Sequence, residues 1–163
     1  MNRIIEINDN DRHFMKMACE LAYENVEKGG GPFGAVIVKD GEVVATGTNT
    51  VTLDNDPTAH AEVNAIRNAC RQAGSFNLEG CDIYTSCEPC PMCLSALYWA
   101  RVRRIYYANT QMDARAIKFD DNFIYEEIAR PHLERSIPCV HIDEPSAINA
   151  FRLWDTKTDK KEY

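Results

Sequence analysis

The chain has 163 residues, with 25 acidic and 18 basic side chains and a net charge of -7 at neutral pH. That length suits one ordinary domain over 1–163 with a layered core, and the acidic balance excludes a surface built to neutralise nucleic-acid phosphates. No apolar run approaches the ~20 residues of a membrane span, so a soluble, cytoplasmic protein is expected.

Between residues 11 and 28, Phe14, Met17, Ala18, Leu21, Ala22 and Val26 recur at helical spacing, and Gly29-Gly30-Gly31-Pro32 stops the run. Residues 33–38 read as a nearly continuous apolar strand. Asp40-Gly41 signals a tight turn, and 43–48 return as the partner strand, ending at Asn49. After a polar loop with Asp54, Asn55, Asp56 and Pro57, a second helix is expected to bury Ala59, Val63, Ile66, Cys70 and Ala73 and to stop near Gly74. Residues 83–86 are a third strand. A helix through Leu94, Ala96, Leu97 and Trp99 follows, then a fourth strand over 102–108. Beyond a loop over 109–120, the pattern predicts a short helix over 121–129, a strand within 137–142 and a last helix over 146–157 with Ile148, Phe151 and Trp154 on one face. This order predicts an α/β, three-layer sandwich: a mixed five-stranded sheet between helices.

Two segments carry chemistry. His60 and Glu62 stand at the start of the second helix, and Pro89-Cys90-Pro91-Met92-Cys93 follows the third strand. One imidazole and two thiolates make three ligands for a zinc ion that takes four, which leaves the open position of a catalytic site. His-x-Glu followed by Pro-Cys-x-x-Cys is the signature of zinc deaminases, in which the Glu moves protons and does not bind metal. Pro91 suits the first helical position and biases Cys90 away from helical geometry, so Cys90 is expected at the N-cap with Cys93 on the first turn. Both sulfurs then face one point beyond a helix N-terminus, whose dipole favours thiolates.

Cys87 is a possible fourth ligand that would make the ion structural. The seven cysteines are odd in number and the chain has no secretory signal, so Cys19, Cys70, Cys81 and Cys139 read as reduced core residues. His13, His132 and His141 lack metal-binding company, and Arg101, Arg103 and Arg104 read as charges at the end of the third helix.

Gly31-Pro32-Phe33-Gly34-Ala35-Val36-Ile37-Val38, Asn55-Asp56-Pro57-Thr58-Ala59-His60-Ala61-Glu62, Tyr84-Thr85-Ser86-Cys87-Glu88-Pro89-Cys90-Pro91-Met92-Cys93, Phe119-Asp120-Asp121-Asn122-Phe123-Ile124-Tyr125 and the ending Lys160-Lys161-Glu162-Tyr163 together resemble the cytidine deaminase superfamily. Within it, the Phe-Asp-Asp segment and the Tyr ending resemble the bacterial guanine deaminases. The resemblance implies one Zn²⁺ per chain, held by His60, Cys90 and Cys93, and hydrolysis of guanine to xanthine and ammonia with Glu62 as proton shuttle. It further implies substrate contacts at Phe33, Asn49, Ala61, Trp99, Asp121 and Tyr163. It also implies a homodimer in which a segment over 142–163 crosses to cover the partner's site. Other substrates remain open on the residues alone: cytosine, an aminotriazine, or transfer-RNA adenosine, the last calling for a basic groove. A non-catalytic zinc module is a further alternative.

Overall fold

The computed structural model describes residues 5–163 and divides into two compact units, Met1–Asn122 and Phe123–Tyr163. In the first unit the order is α1 (Asp9–Glu27), β1 (Gly34–Lys39), β2 (Glu42–Thr48), α2 (Val51–Asp54), α3 (Ala61–Ala73), β3 (Asp82–Cys87), α4 (Pro91–Trp99), β4 (Arg104–Asn109) and α5 (Gln111–Ala116). The sheet runs β2-β1-β3-β4. β1 is antiparallel to both neighbours, and β3 and β4 are parallel.

Each element has a local cause. α1 starts with a capping box in which Asn8 and Asp11 satisfy each other's backbone N–H groups, so it begins two residues ahead of the expected start. Asp11 also accepts the Tyr84 hydroxyl at 2.6 Å, which ties the helix to β3. Asp40 and Gly41 both adopt positive φ, as a two-residue hairpin turn demands. β1 is apolar and buried up to its last residue because both of its faces are covered. Val36, Val38 and Tyr84 pack against Phe14 and Ala18 of α1. Ala35, Ile37 and Ile83 pack with Ala61, Ala65 and Ala69 of α3 and Leu97 of α4 on the other face.

The contact between α3 and β2 is unusually close. A Cβ at Gly47 would stand 2.2 Å from the Ala61 carbonyl oxygen and 2.4 Å from the Ala65 nitrogen. Glycine on the strand and alanines at every fourth helical position let the two backbones meet. The fully buried stripe of α3 therefore runs through Ala61, Ala65 and Ala69; of the expected residues, Ala59 is buried just ahead of the helix, Ile66 and Cys70 pack half-buried against the core, Val63 is half-buried and Ala73 is exposed. Asn64 and Asn68 then donate to the carbonyls of Thr48 and Thr46 on the open edge of β2, each at 2.9 Å, which sets the helix's height along the strand.

Among the described residues four strands form, not five. The stretch 137–142 carries no strand: Pro138 lacks an N–H, and the one recorded backbone bond there, Cys139 N–H to His132 O at 2.9 Å, leads into a turn and not a ladder. The expected loop over 109–120 contains α5, started by a Thr110/Asp113 capping box. Cys139 is exposed and so is not a core residue. Arg103 forms a two-pronged bond with Asp82, at 2.9 and 2.6 Å, and does not cap α4.

The second unit contains most of α6 (Asn122–Ala129), a single 3₁₀ turn (His132–Glu134) and α7 (Ile148–Thr156). Arg135 closes α6 by donating to the carbonyls of Ile128 and Arg130. No residue of 123–163 is buried, and Phe151 and Leu153 of α7 are 73% and 70% exposed. Among the described residues no helix is long and apolar enough to cross a membrane.

Candidate metal centre

Two helix N-termini meet at one point. His60 is the N-cap of α3, in extended conformation. Cys90 is the N-cap of α4 with Pro91 at the first helical position, and Cys93 is buried in the first turn. His60 Nδ1 stands 3.6 Å from Cys90 Sγ and 3.5 Å from Cys93 Sγ. Ligands about 2.0–2.1 Å (N) and 2.3 Å (S) from a tetrahedral zinc ion would be about 3.5–3.6 Å apart. The donor atoms are thus spaced as zinc requires, and among the described residues they form the one cluster of three or more metal-ligand side chains.

Protonation in this cluster is uneven. The Cys90 thiol is held down at about 4, first by the S–H of Cys93 and also by His60. Cys93 is correspondingly pushed up by its bond to Cys90 and by burial, and the hydrogen bond to Cys90 raises His60. The hydrogen bonds within the cluster thus favour a thiolate at Cys90. Cys87 differs: burial pushes it up to about 11, and its sulfur is 3.7 Å from the Thr110 carbonyl oxygen.

Glu62, 6% exposed, lies in the first turn of α3. Burial raises its pKa, while its own backbone N–H, the Cys93 thiol and the Thr85 hydroxyl act in the opposite direction. A carboxyl with a raised pKa near a metal cluster is suited to accepting and returning a proton. The Asp121 carboxyl is raised by burial and by the negative charges of Cys90, Asp120 and Glu88, and it acts electrostatically on His60. It therefore shares the electrostatic environment of the ligands. Two residues before it, Phe119 meets the ring of Phe33 edge to face, with centroids 5.0 Å apart.

Asn49 is buried, and its Oδ1 accepts from the Val51 N–H at 3.3 Å. Asn25, on the last turns of α1, donates to the carbonyls of Asn49 and Gly31, both at 2.7 Å. Ala61 is fully buried between His60 and Glu62. Trp99 is not brought to this cluster within the first unit: it ends α4, nine residues from Cys90, or about 13 Å at 1.5 Å per residue. Tyr163 belongs to the second unit and is largely exposed. Thr85, Asn25 and Glu88 also bear on this site. For the first two the sequence shows only a polar residue inside a strand or on an inward helix face, a signal that names no partner. Glu88, which accepts from the Gln111 N–H at 3.1 Å and so anchors α5, gave none.

The zinc-binding region of cytidine and deoxycytidylate deaminases matches residues 8–109. The guanine deaminase of Bacillus subtilis (strain 168) is 53% identical over 155 residues, covering 94% of this chain and 99% of that one. Its X-ray structure superposes with a TM-score of 0.92 at 52% identity, over 96% and 99% of the two chains. The guanine deaminase of Nitrosomonas europaea gives a TM-score of 0.65 at 31% identity over 72% of this chain and 68% of that one. The transfer-RNA-specific adenosine deaminase of Aquifex aeolicus is 44% identical over 59% of this chain and 64% of its own.

Proposed function

The chain belongs to the zinc-dependent cytidine and deoxycytidylate deaminase family, and from that premise we propose that it hydrolyses guanine to xanthine and ammonia. The observation that carries the substrate is the reach of the similarity. Likeness to a guanine deaminase runs through 94% of the chain, whereas likeness to the transfer-RNA enzyme covers 59%. A net charge of -7 also gives a nucleic acid little to bind.

His60, Cys90 and Cys93 would hold the zinc ion, which when bound would supply Lewis-acid activation of water near neutral pH. Glu62 takes one proton from water and passes it to the ring nitrogen beside the attacked carbon, then takes the second from the hydroxyl now on that carbon and gives it to the departing amine as the C=O forms and the C–N bond breaks. One water is consumed and one ammonia released. Asp121 accepts from guanine's adjacent N–H donors. Because Asn49 Oδ1 is engaged by the Val51 N–H, its amide hydrogens face the purine's acceptors. Phe33, with Phe119 against its edge, offers an aromatic wall for the planar base, and Ala61 forms part of the floor. Trp99 and Tyr163 join the pocket through assembly. Ammonia release from guanine, adenine, cytosine, their nucleosides and aminotriazines tests this reading. Guanine should lead the panel; an idle enzyme on guanine with turnover of another compound would refute it.

The assembly we propose is a homodimer in which 142–163 crosses to the partner and Tyr163 covers the partner's pocket. Support comes from the second unit's lack of any buried residue. Mixing an Asp121→Asn/Glu62→Gln chain with one lacking 158–163 tests the exchange. The heterodimer then has one site with intact catalytic residues and a borrowed tail, so activity should return. Demonstrable heterodimers without activity would refute exchange. Seven free cysteines suit a reducing compartment such as the cytoplasm.

A further inference from the structure

We infer that Thr85 is a positioning residue that selects which oxygen of Glu62 moves the proton; this rests on the proton-shuttle reading of Glu62. Thr85 donates its hydroxyl to Glu62 Oε1 at 3.1 Å. The two are 23 residues apart in sequence, and both are buried, Thr85 at 1% exposure. With Oε1 tethered from another element, Oε2 is the oxygen freer to face water and base, since the Cys93 thiol that also bonds the carboxyl gives up its proton when it holds zinc.

The fold itself gives no reason for a hydroxyl at this position. Thr85 lies in a central strand, paired with Ala35 on one side and Tyr107 on the other, so the sheet satisfies its backbone groups. The neighbour two residues earlier on the same face, Ile83, belongs to the apolar core against α3 and α4. Valine has the same branched shape, strong preference for strands and no polar atom to desolvate. A buried hydroxyl in such a place needs a partner, and here that partner is the carboxylate of the proton shuttle.

Tethering matters because Glu62 has three rotatable side-chain bonds and must meet several positions in one turnover: water, ring nitrogen and leaving amine. A carboxylate fixed at one oxygen can swing the other over these positions without leaving the productive rotamer. Misplacement of a reacting group by about 1 Å can cost on the order of 10²-fold. Thr85 does not touch substrate, so its removal should act on the chemical step and not on binding.

Thr85→Val, which keeps shape and removes the hydroxyl, is the test. The expected result is a kcat roughly tenfold to a hundredfold lower, a KM within about twofold and one zinc per chain retained. Thr85→Ser, which restores a donor, should recover activity to within a few-fold of wild type. Thr85→Ala removes the same hydroxyl and gives the same reading if valine disturbs packing. Full kcat in Thr85→Val, or equal loss in the Ser and Val variants, would overturn the inference. A purely structural hydroxyl would lower the melting temperature without the kcat loss, and that outcome also overturns it. Glu62→Gln assayed in parallel separates the two levels. If that variant turns over normally, the shuttle reading itself falls; if it is inactive while Thr85→Val is fully active, only the role of Thr85 falls.

Discussion

Replacing Gly47 by alanine should disarm the metal site from a residue that touches neither metal nor substrate. The new Cβ would stand 2.2 Å from the Ala61 carbonyl oxygen, where ordinary contact begins at 3.4 Å, so the gap between strand and helix must open by about 1.2 Å. The obstruction is rigid: the other two nearest atoms are the Ala65 nitrogen and Cα, at 2.4 and 3.0 Å, and no side chain can swing aside. Ala61 lies directly between His60 and Glu62, so relief of the clash carries both residues away from Cys90 and Cys93. Zinc sites tolerate ligand displacements of about 0.2 Å, several times less than the required movement. Overpacking costs about 1–3 kcal/mol, and at about 2–4 °C per kcal/mol for a chain of this size the melting temperature should fall by about 2–12 °C. Chelator competition should show zinc bound at least tenfold more weakly, and kcat should drop on the order of 10²-fold. Gly34→Ala provides the contrast, since its Cβ would strike the Ala18 carbonyl oxygen of α1 at 2.4 Å on the face away from the ligands. That variant should lose stability and keep its zinc affinity. Wild-type zinc affinity and kcat in Gly47→Ala would refute the claim that close approach of α3 sets the site.

Cys90→Ser should lose zinc and activity together, whereas Cys87→Ser, whose sulfur faces the Thr110 carbonyl, should keep one zinc per chain by metal analysis and most of its turnover. In zinc-stripped protein, Cys90 should be alkylated at a rate nearly constant between pH 6 and 8, because a thiol at about 4 is already ionised throughout. An ordinary thiol at 9.0 would gain about tenfold per pH unit in that window, and mass-spectrometric mapping distinguishes the two; added zinc should block the reaction. Asp121→Asn should lower kcat/KM for guanine roughly tenfold to a hundredfold by setting a donor against donors, with zinc content unchanged.

The proposed metal ligands were legible because their constraints are local. Pro91 after Cys90 specifies an N-cap, and the structure has that cap; His60 just ahead of an alanine-rich helix is another. A cap is defined within four residues, so sequence spacing suffices to read it. Thr85 and Asn25 were not legible because their partners lie 23 and 24 residues away, across contacts that only the packed sheet creates. The same limit explains the buried face of α3. Hydrophobic periodicity favours bulky side chains, yet the depth of the contact at Gly47 admits only alanine, so the smallest residues are the innermost. The strands of the first unit carry their pattern internally, with β1 apolar on both faces and β3 buried on both. The stretch 137–142 has comparable apolar content but lacks a ladder partner, and a strand exists only where its N–H and C=O groups are paired.

The second unit presents the opposite problem, a sequence more apolar than its own fold can use. Its 41 residues, 123–163, bury nothing, yet they include Ile137, Val140 and Ile142, each more than 70% exposed. Chains of about 40 residues rarely hold a fold alone without disulfides, metal or association. Cys139 is free, and the cluster of His60, Cys90 and Cys93 uses no ligand from this unit, which is the ground for proposing association as its source of stability. α7 points the same way: Phe151 and Trp154 recur at helical spacing on a face that a solvated tail would have no reason to keep apolar. The physical demand for a cover on this unit and the chemical demand for a closed, water-excluding pocket around Glu62 are met together if each chain supplies the other's lid. That is the crossed homodimer proposed above and tested by chain mixing, in which the ring and hydroxyl of Tyr163 would serve a site built by a different copy of the same sequence.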